Sequence, residues 1–334
     1  MPRRKKTFES ELERCLVVID EALSARDTPL SNRPLEAAKI FVKDFIKEIR
    51  GDTKERYYEK PWFASIFARV LKWYQDKYGQ ALEKRDKGFP AAVMVHGVPF
   101  AVAVPLTHGE ADVPGETVWL SFETNLGRNE QPRSWIQSPP SLEALSARES
   151  KRLDRDLAML TTSIRTINLK LMTASFSVRA FDEMRNVALL SLASAARHIC
   201  DATEHSLPLA IWDLNYALEN AMKCLILQSG EDFSRVHTLG VLLRECAKAG
   251  KRPFPKTSLR FLPNDKRVIA HRYGRAVPGG LKAAYAAYEM SLQRLVHITE
   301  KLDRKVDASR LRILLKRPRW YDQLPEFQDG PGQK

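Results

Sequence analysis

The sequence predicts a mainly α-helical protein, with a smaller α+β part holding a short antiparallel sheet ahead of a helical bundle. Apolar residues recur at three- and four-residue steps in the first eighty residues and again through most of the chain after Ser141, the period of a helix face. Between these regions, residues 91–105 and 117–122 are rich in valine and aromatic residues around a His96-Gly97 pair, which is strand and turn chemistry. The length, 334 residues with 44% hydrophobic and 28% charged, suits two cores better than one.

Taken in order, Leu12, Cys15, Leu16, Ile19 and Leu23 mark a helix over residues 7–25, and Leu35, Ile40, Phe41, Phe45 and Ile46 mark another over 34–49. A third helix over 62–82 follows Pro61; its aromatic residues (Trp62, Phe63, Phe67, Trp73, Tyr74, Tyr78) sit at core spacing. Two strands around His96-Gly97 and a third at Thr117–Phe122 then form a small sheet, expected to pack on the preceding helices. Gly127, Pro132, Pro139 and Pro140 break any element between Asn125 and Pro140, so this stretch is expected to join two domains. Ser141 is placed to cap a long helix through Leu153, Leu157, Ile164 and Leu171, with a bend expected near 173–177. Further helices are expected over 180–204, 208–229, 237–249, 264–273 and 280–303, with Gly230 and Gly250 as C-terminal caps. The expected domains are 1–140 and 141–316, followed by a polar tail over 317–334.

The net charge of +13 is unevenly spread. Residues 251–275 carry Lys251, Arg252, Lys256, Arg260, Lys266, Arg267, Arg272 and Arg275 against the single Asp265. Residues 2–6 and 301–319 are also basic, so the rest of the chain is acidic on balance. Such patches suit a polyanionic partner. The scattered Cys15, Cys200, Cys224 and Cys246 fit neither a zinc ribbon nor a redox pair and are expected to be thiols. His198, Cys200 and His205 do not repeat on one helical face, so no metal site is expected. No apolar run reaches the ~20 residues that cross a bilayer, and the segment after Thr7 is acidic and amphipathic, so a cytoplasmic protein is expected. No phosphate-cradling glycine loop or hydrolase nucleophile elbow is present.

One resemblance points to function. Residues 208–227 hold Ala217, Glu219 and Lys223, and a short turn leads through Phe233 to His237 and Leu239. This is similar to the central helix pair of HEPN domains, where a helix with Ala-x-Glu-x-x-x-Lys-like residues precedes one opening with His-x-Leu. The stretch from Leu262 to His271-Arg272-Tyr273 resembles the family's last signature: in ribonuclease members an arginine, four to six residues, a histidine, and often x-Tyr. Here three residues separate Arg267 from His271, and Lys266 holds the position with four. Residues four apart share a helix face, so Arg267 and His271 are expected to point the same way.

The resemblance, over about residues 180–300, implies metal-independent cleavage at the RNA 2′-hydroxyl without a cofactor. It implies His271 as acid and base, Arg267 as phosphate clamp and Tyr273 as positioning hydroxyl. The cations Lys251, Arg252, Lys256, Arg260, Lys266, Arg272 and Arg275 would gather the RNA backbone. A homodimer with two motifs in one cleft, and a role in a toxin or defence system with a neutralising antitoxin, are further implications. The alternative is a catalytically silent module that binds nucleotides or docks a protein partner. Glu219 and Lys223 are expected to pair along their helix, and His237 to orient its turn.

Overall fold

The computed structural model describes residues 7–83, 88–113, 116–175, 178–263, 265–304 and 306–316, so the tail over 317–334 lies outside the described residues. The chain is mainly helical with small sheets, as its periodicity predicts. It divides into two units: Met1–Arg85 with Val113–Thr117 and Leu315–Lys334, and Asp86–Asp112 with Val118–Leu314.

In the first unit, helix α1 (Phe8–Ala25) starts at Thr7, whose hydroxyl accepts from the Ser10 N–H while Ser10 bonds back, a capping box. Helix α2 (Arg33–Ile40) runs on into a π-helical turn, Phe41–Phe45. Helix α3 (Pro61–Tyr78) places proline in its first turn, where the missing N–H costs nothing. A short α4 (Gln80–Glu83) follows. Leu12, Leu16, Ile19, Phe63, Val70 and Tyr74 fill the core, so the most buried aromatics of α3 are core. One carboxylate, Asp20, is buried with them and receives Lys77 at 2.8 Å, the Tyr78 hydroxyl at 2.5 Å and Arg33 at 3.4 Å. Burial pushes its pKa up, but the bonds from Lys77 and Tyr78 outweigh this and hold it below the usual carboxylate range.

In the second unit, β1 (Phe89–Val95) and β2 (Val98–Val104) pair antiparallel with Val95 opposite Val98. The turn between them puts His96 at φ +51° and Gly97 at φ +76°, the left-handed pair that matches hairpin twist. The segment after Pro132 covers the free edge of β2: Ile136 bridges to Val102, and the Gln137 N–H donates to the Ala101 carbonyl at 2.8 Å.

This hairpin packs on the helices that follow it. Phe89, Ala92, Val93, Val102 and Val104 share one core with Leu157, Ile164, Leu192 and Leu218, so the units divide near residue 85 and not near 140. β1 is apolar on both faces, and its sequence therefore does not say which helices cover it.

The expected strand at 117–122 forms as β4 (Thr117–Ser121) but lies between β3 (His108–Val113) and β5 (Arg312–Lys316) rather than beside β1 and β2. Arg312 ties that sheet together, 3.0 Å from Glu110 and stacked over Trp119.

The irregular stretch over 125–137 is held from below. Arg165, 1% exposed, donates to both Glu130 oxygens and to the carbonyls of Pro105 and Asn125, and the Gly127 N–H reaches Glu130 at 2.7 Å. Burial raises the Glu130 pKa, the Arg165 and Gly127 bonds lower it more, and the net direction is down.

Helix α5 (Ala147–Met172) is capped by Ser146 and not by Ser141, because Ser146 has Glu149 three residues on to complete a capping box. Ser141 precedes only a 3₁₀ turn, Leu142–Ala144, and α5 ends at Met172 with Thr173 as its C-cap, where the bend was expected; residues 176–177 of that stretch lie outside the described residues. The remaining helices are α6 (Arg179–Asp201), α7 (Ser206–Gln228), α8 (Leu239–Lys248), α9 (Asp265–Arg272) and α10 (Gly280–Glu300). Gly230 and Gly250, at φ +78° and +71°, close α7 and α8 as expected, since only glycine takes this conformation without strain. Helix α7 is the central element, buried along most of its length. Among the described residues, no helix is long and apolar enough to cross a membrane. The four cysteines are free, and burial pushes the Cys224 and Cys246 thiols up to about 12.

Candidate nucleic-acid interface

Helix α9 ends in a tight turn at Gly274, φ +85°, where the Gly274 N–H donates to the His271 carbonyl and the Arg275 N–H to the Ala270 carbonyl. The same turn brings the Arg275 carbonyl to His271 Nδ1 at 2.6 Å. A carbonyl only accepts, so Nδ1 carries the hydrogen; Nε2 is buried and makes no hydrogen bond. His271 is 1% exposed, and with Val268, three residues earlier, it forms the inward stripe of α9. Arg267 is exposed and Tyr273 is 80% exposed, so of the expected catalytic set His271 alone is turned inward. Sharing a helix face is a matter of angle, and the boundary between buried and exposed runs between Arg267 and His271.

The cations divide by what holds them. Lys251 is tied to the Asp303 carboxylate and lies 3.5 Å from the Gln228 side-chain oxygen, joining the end of α8 to the end of α10. Arg252, Arg260, Arg272 and Arg275 are exposed and pair with no carboxylate among the described residues. Of Lys256 and Lys266 only the backbone is described. The Arg272 guanidinium lies over the indole of Trp212 on α7, 5.1 Å from its centroid.

Trp212 belongs to a row on α7 formed with Tyr216, Glu219 and Lys223, at steps that share one helical face. Trp212 and Tyr216 stack with centroids 6.0 Å apart. Glu219 is fully buried and accepts from Lys223 at 2.7 Å. His237 Nδ1 lies 3.1 Å from each of the Glu219 oxygens, while the imidazole itself is 58% exposed and 6.2 Å from the Trp212 ring. Lys223 also lies over Phe233, at 5.2 Å. The expected Glu219–Lys223 pair is therefore present, and His237 joins it.

Sequence reasoning missed Trp212, although its four-residue step to Tyr216 and seven-residue step to Glu219 carried the signal. It also missed a cationic groove of about 810 Å³ along α5, lined by Arg148, Lys151, Arg152 and Arg155 beside Asp156 and Glu289. Asp156 takes up Arg152 and Arg155, at 3.4 and 3.7 Å. Among the described residues no group of His, Cys, Asp or Glu is arranged to hold a metal ion. Comparison with family models, with curated proteins and with solved structures finds no match to the chain.

Proposed function

We propose that the second unit binds RNA through the face shared by α7 and α9, as the HEPN resemblance of these helices implies. The observation that carries this reading is the Arg272 guanidinium lying on the Trp212 indole, next to exposed Tyr273 and Arg275. A planar cation on an aromatic ring offers a phosphate its charge and a splayed base a stacking surface. Arg252 and Arg260 extend the positive charge along the same segment.

The test is a gel shift with a single-stranded RNA at several salt concentrations. Affinity should fall steeply with salt, and Arg272→Glu with Arg275→Glu should weaken it at least about tenfold by replacing two phosphate contacts with repulsion. Binding indifferent to salt and to both reversals would end the reading. The same resemblance implies a homodimer, which light scattering of the purified chain tests; a monomer at the concentrations that bind RNA would remove it.

A further inference from the structure

Arg148, Lys151, Arg152 and Arg155 follow one another at steps of three, one and three residues, which puts all four on one face of α5. Like charges three and four apart on a helix repel, and Arg148, in the first turn, also opposes the helix dipole. Little nearby offsets this. Asp156 lies 3.4 Å from Arg152 and 3.7 Å from Arg155, and Glu149 is taken up by the Ser146 cap. Arg148 and Lys151 are exposed and pair with no carboxylate among the described residues. A row of one sign that weakens its own helix is the local conflict expected where an anion binds.

The row lines the groove of about 810 Å³, together with Met159 and with Glu289 of α10. Glu289 makes no ion pair among the described residues, and burial, then Asp156, push its pKa up against the pull of Arg152. An incoming anion therefore meets a carboxyl already inclined to hold its proton. A second hollow of about 710 Å³ adjoins the groove, and Arg152 and Asp156 line both. Its apolar lining is Met94 and Val95 at the end of β1, Leu145, Leu153, Leu281 and the Tyr285 ring. Each hollow has the size of a small-molecule site.

We infer that this pair of hollows binds a phosphate ester of an aliphatic chain, with the phosphate on the α5 cations and the chain in the hollow behind the β1–β2 turn. The site shares no residue with the α7–α9 face and stands or falls apart from the RNA reading. Guanidinium groups hold phosphate oxygens in pairs, and Arg148 and Lys151 have no partner to give up first. Arg152 sits where head and chain meet. The body is aliphatic because a base needs rings to stack on, and the hollow offers one ring among five aliphatic side chains.

The experiment is titration calorimetry of the full chain with octyl phosphate, kept below its micelle concentration, beside inorganic phosphate and adenosine monophosphate. Octyl phosphate is expected to bind at least about tenfold more tightly than either, since each buried methylene contributes roughly fourfold. Arg148→Ala with Lys151→Ala is expected to weaken octyl phosphate at least about tenfold. The same variant should melt at or above the wild-type temperature, because it relieves repulsion. Leu281→Ala should weaken octyl phosphate and leave inorganic phosphate unchanged. Sedimentation with phosphatidylcholine vesicles, with and without phosphatidic acid, then separates the sources: pelleting only with phosphatidic acid supports the site with a lipid ligand, and no pelleting supports it with a soluble ester. Octyl phosphate held no more tightly than inorganic phosphate or adenosine monophosphate, or equally by the double variant, overturns the inference. RNA binding lost in the double variant, with octyl phosphate unbound by wild type, overturns it too and gives the row to nucleic acid.

Discussion

The turn after α9 and the junction of α7 with α8 each present a histidine whose Nδ1 donates to a fixed oxygen, and the two differ in what lies beyond the ring. At α9 the acceptor is the Arg275 carbonyl, four residues on, and the rest of the imidazole is enclosed. At the α7–α8 junction the acceptor is a buried carboxylate and the rest of the ring is open. The comparison teaches that a histidine's local sequence says little about its availability. A helix-ending turn folds His271 inward to satisfy a backbone carbonyl, whereas a carboxylate from another helix holds His237 at the surface.

The sharpest way to break this comparison is to remove the shared anchor. Glu219→Ala leaves Lys223, whose side chain is only 11% exposed, as a charge without its partner. Losing one partner of a buried pair costs roughly 3–5 kcal/mol, so the melting temperature should fall by several degrees. A melt within a degree of wild type would show that the network holds nothing.

Next in size is the contrast between the histidines themselves. His271→Ala opens a cavity and strands the Arg275 carbonyl, costing about 2–4 kcal/mol. His237→Ala, at a half-open position, should cost less than about 1 kcal/mol. Chemical denaturation measures both, and the reverse order would undo the argument from burial.

Acid should also act on the fold through Asp20 and Glu130. Both have folded-state pKa values below their unfolded ones, so each adds stability above the unfolded value that is lost as pH falls through the folded one. The denaturation midpoint should therefore drop on the acid side of the carboxylate range. Asp20→Asn should lower stability near neutrality and flatten that drop for the first unit; an unchanged acid limb would show that Asp20 does not contribute. The smallest effect concerns RNA: Arg275→Ala should reduce the salt slope of binding by about 0.7, and Lys251→Ala, already tied to Asp303, should leave it unchanged.

Most helices were legible because each keeps one apolar face, and the glycine caps because only glycine relieves the turn. The elements that were not legible share a physical reason. β3 is exposed along nearly its whole length and carries no apolar alternation to announce it. β5 takes its place from pairing with a strand far away in the chain. The same holds for the candidate interface. His271-Arg272-Tyr273 could be read as a string, but which of the three turns inward depends on packing and on a carbonyl supplied by the turn. The meeting of Arg272 with Trp212, and of His237 with Glu219, exists only once the helices are assembled.

The Arg165–Glu130 anchor has a consequence for how copies of this chain behave toward each other. It fastens the stretch from Asn125 to Glu130, which leads into the segment where Ile136 and Gln137 lie against the outer side of β2. A strand edge left open is a template on which another chain can add. Together with Arg133, which is bonded to Asp154 and Ser150 on α5, the buried ion pair keeps a cover over that edge, so the bare backbone of β2 is withheld from neighbouring chains by two anchors and not by the strand itself.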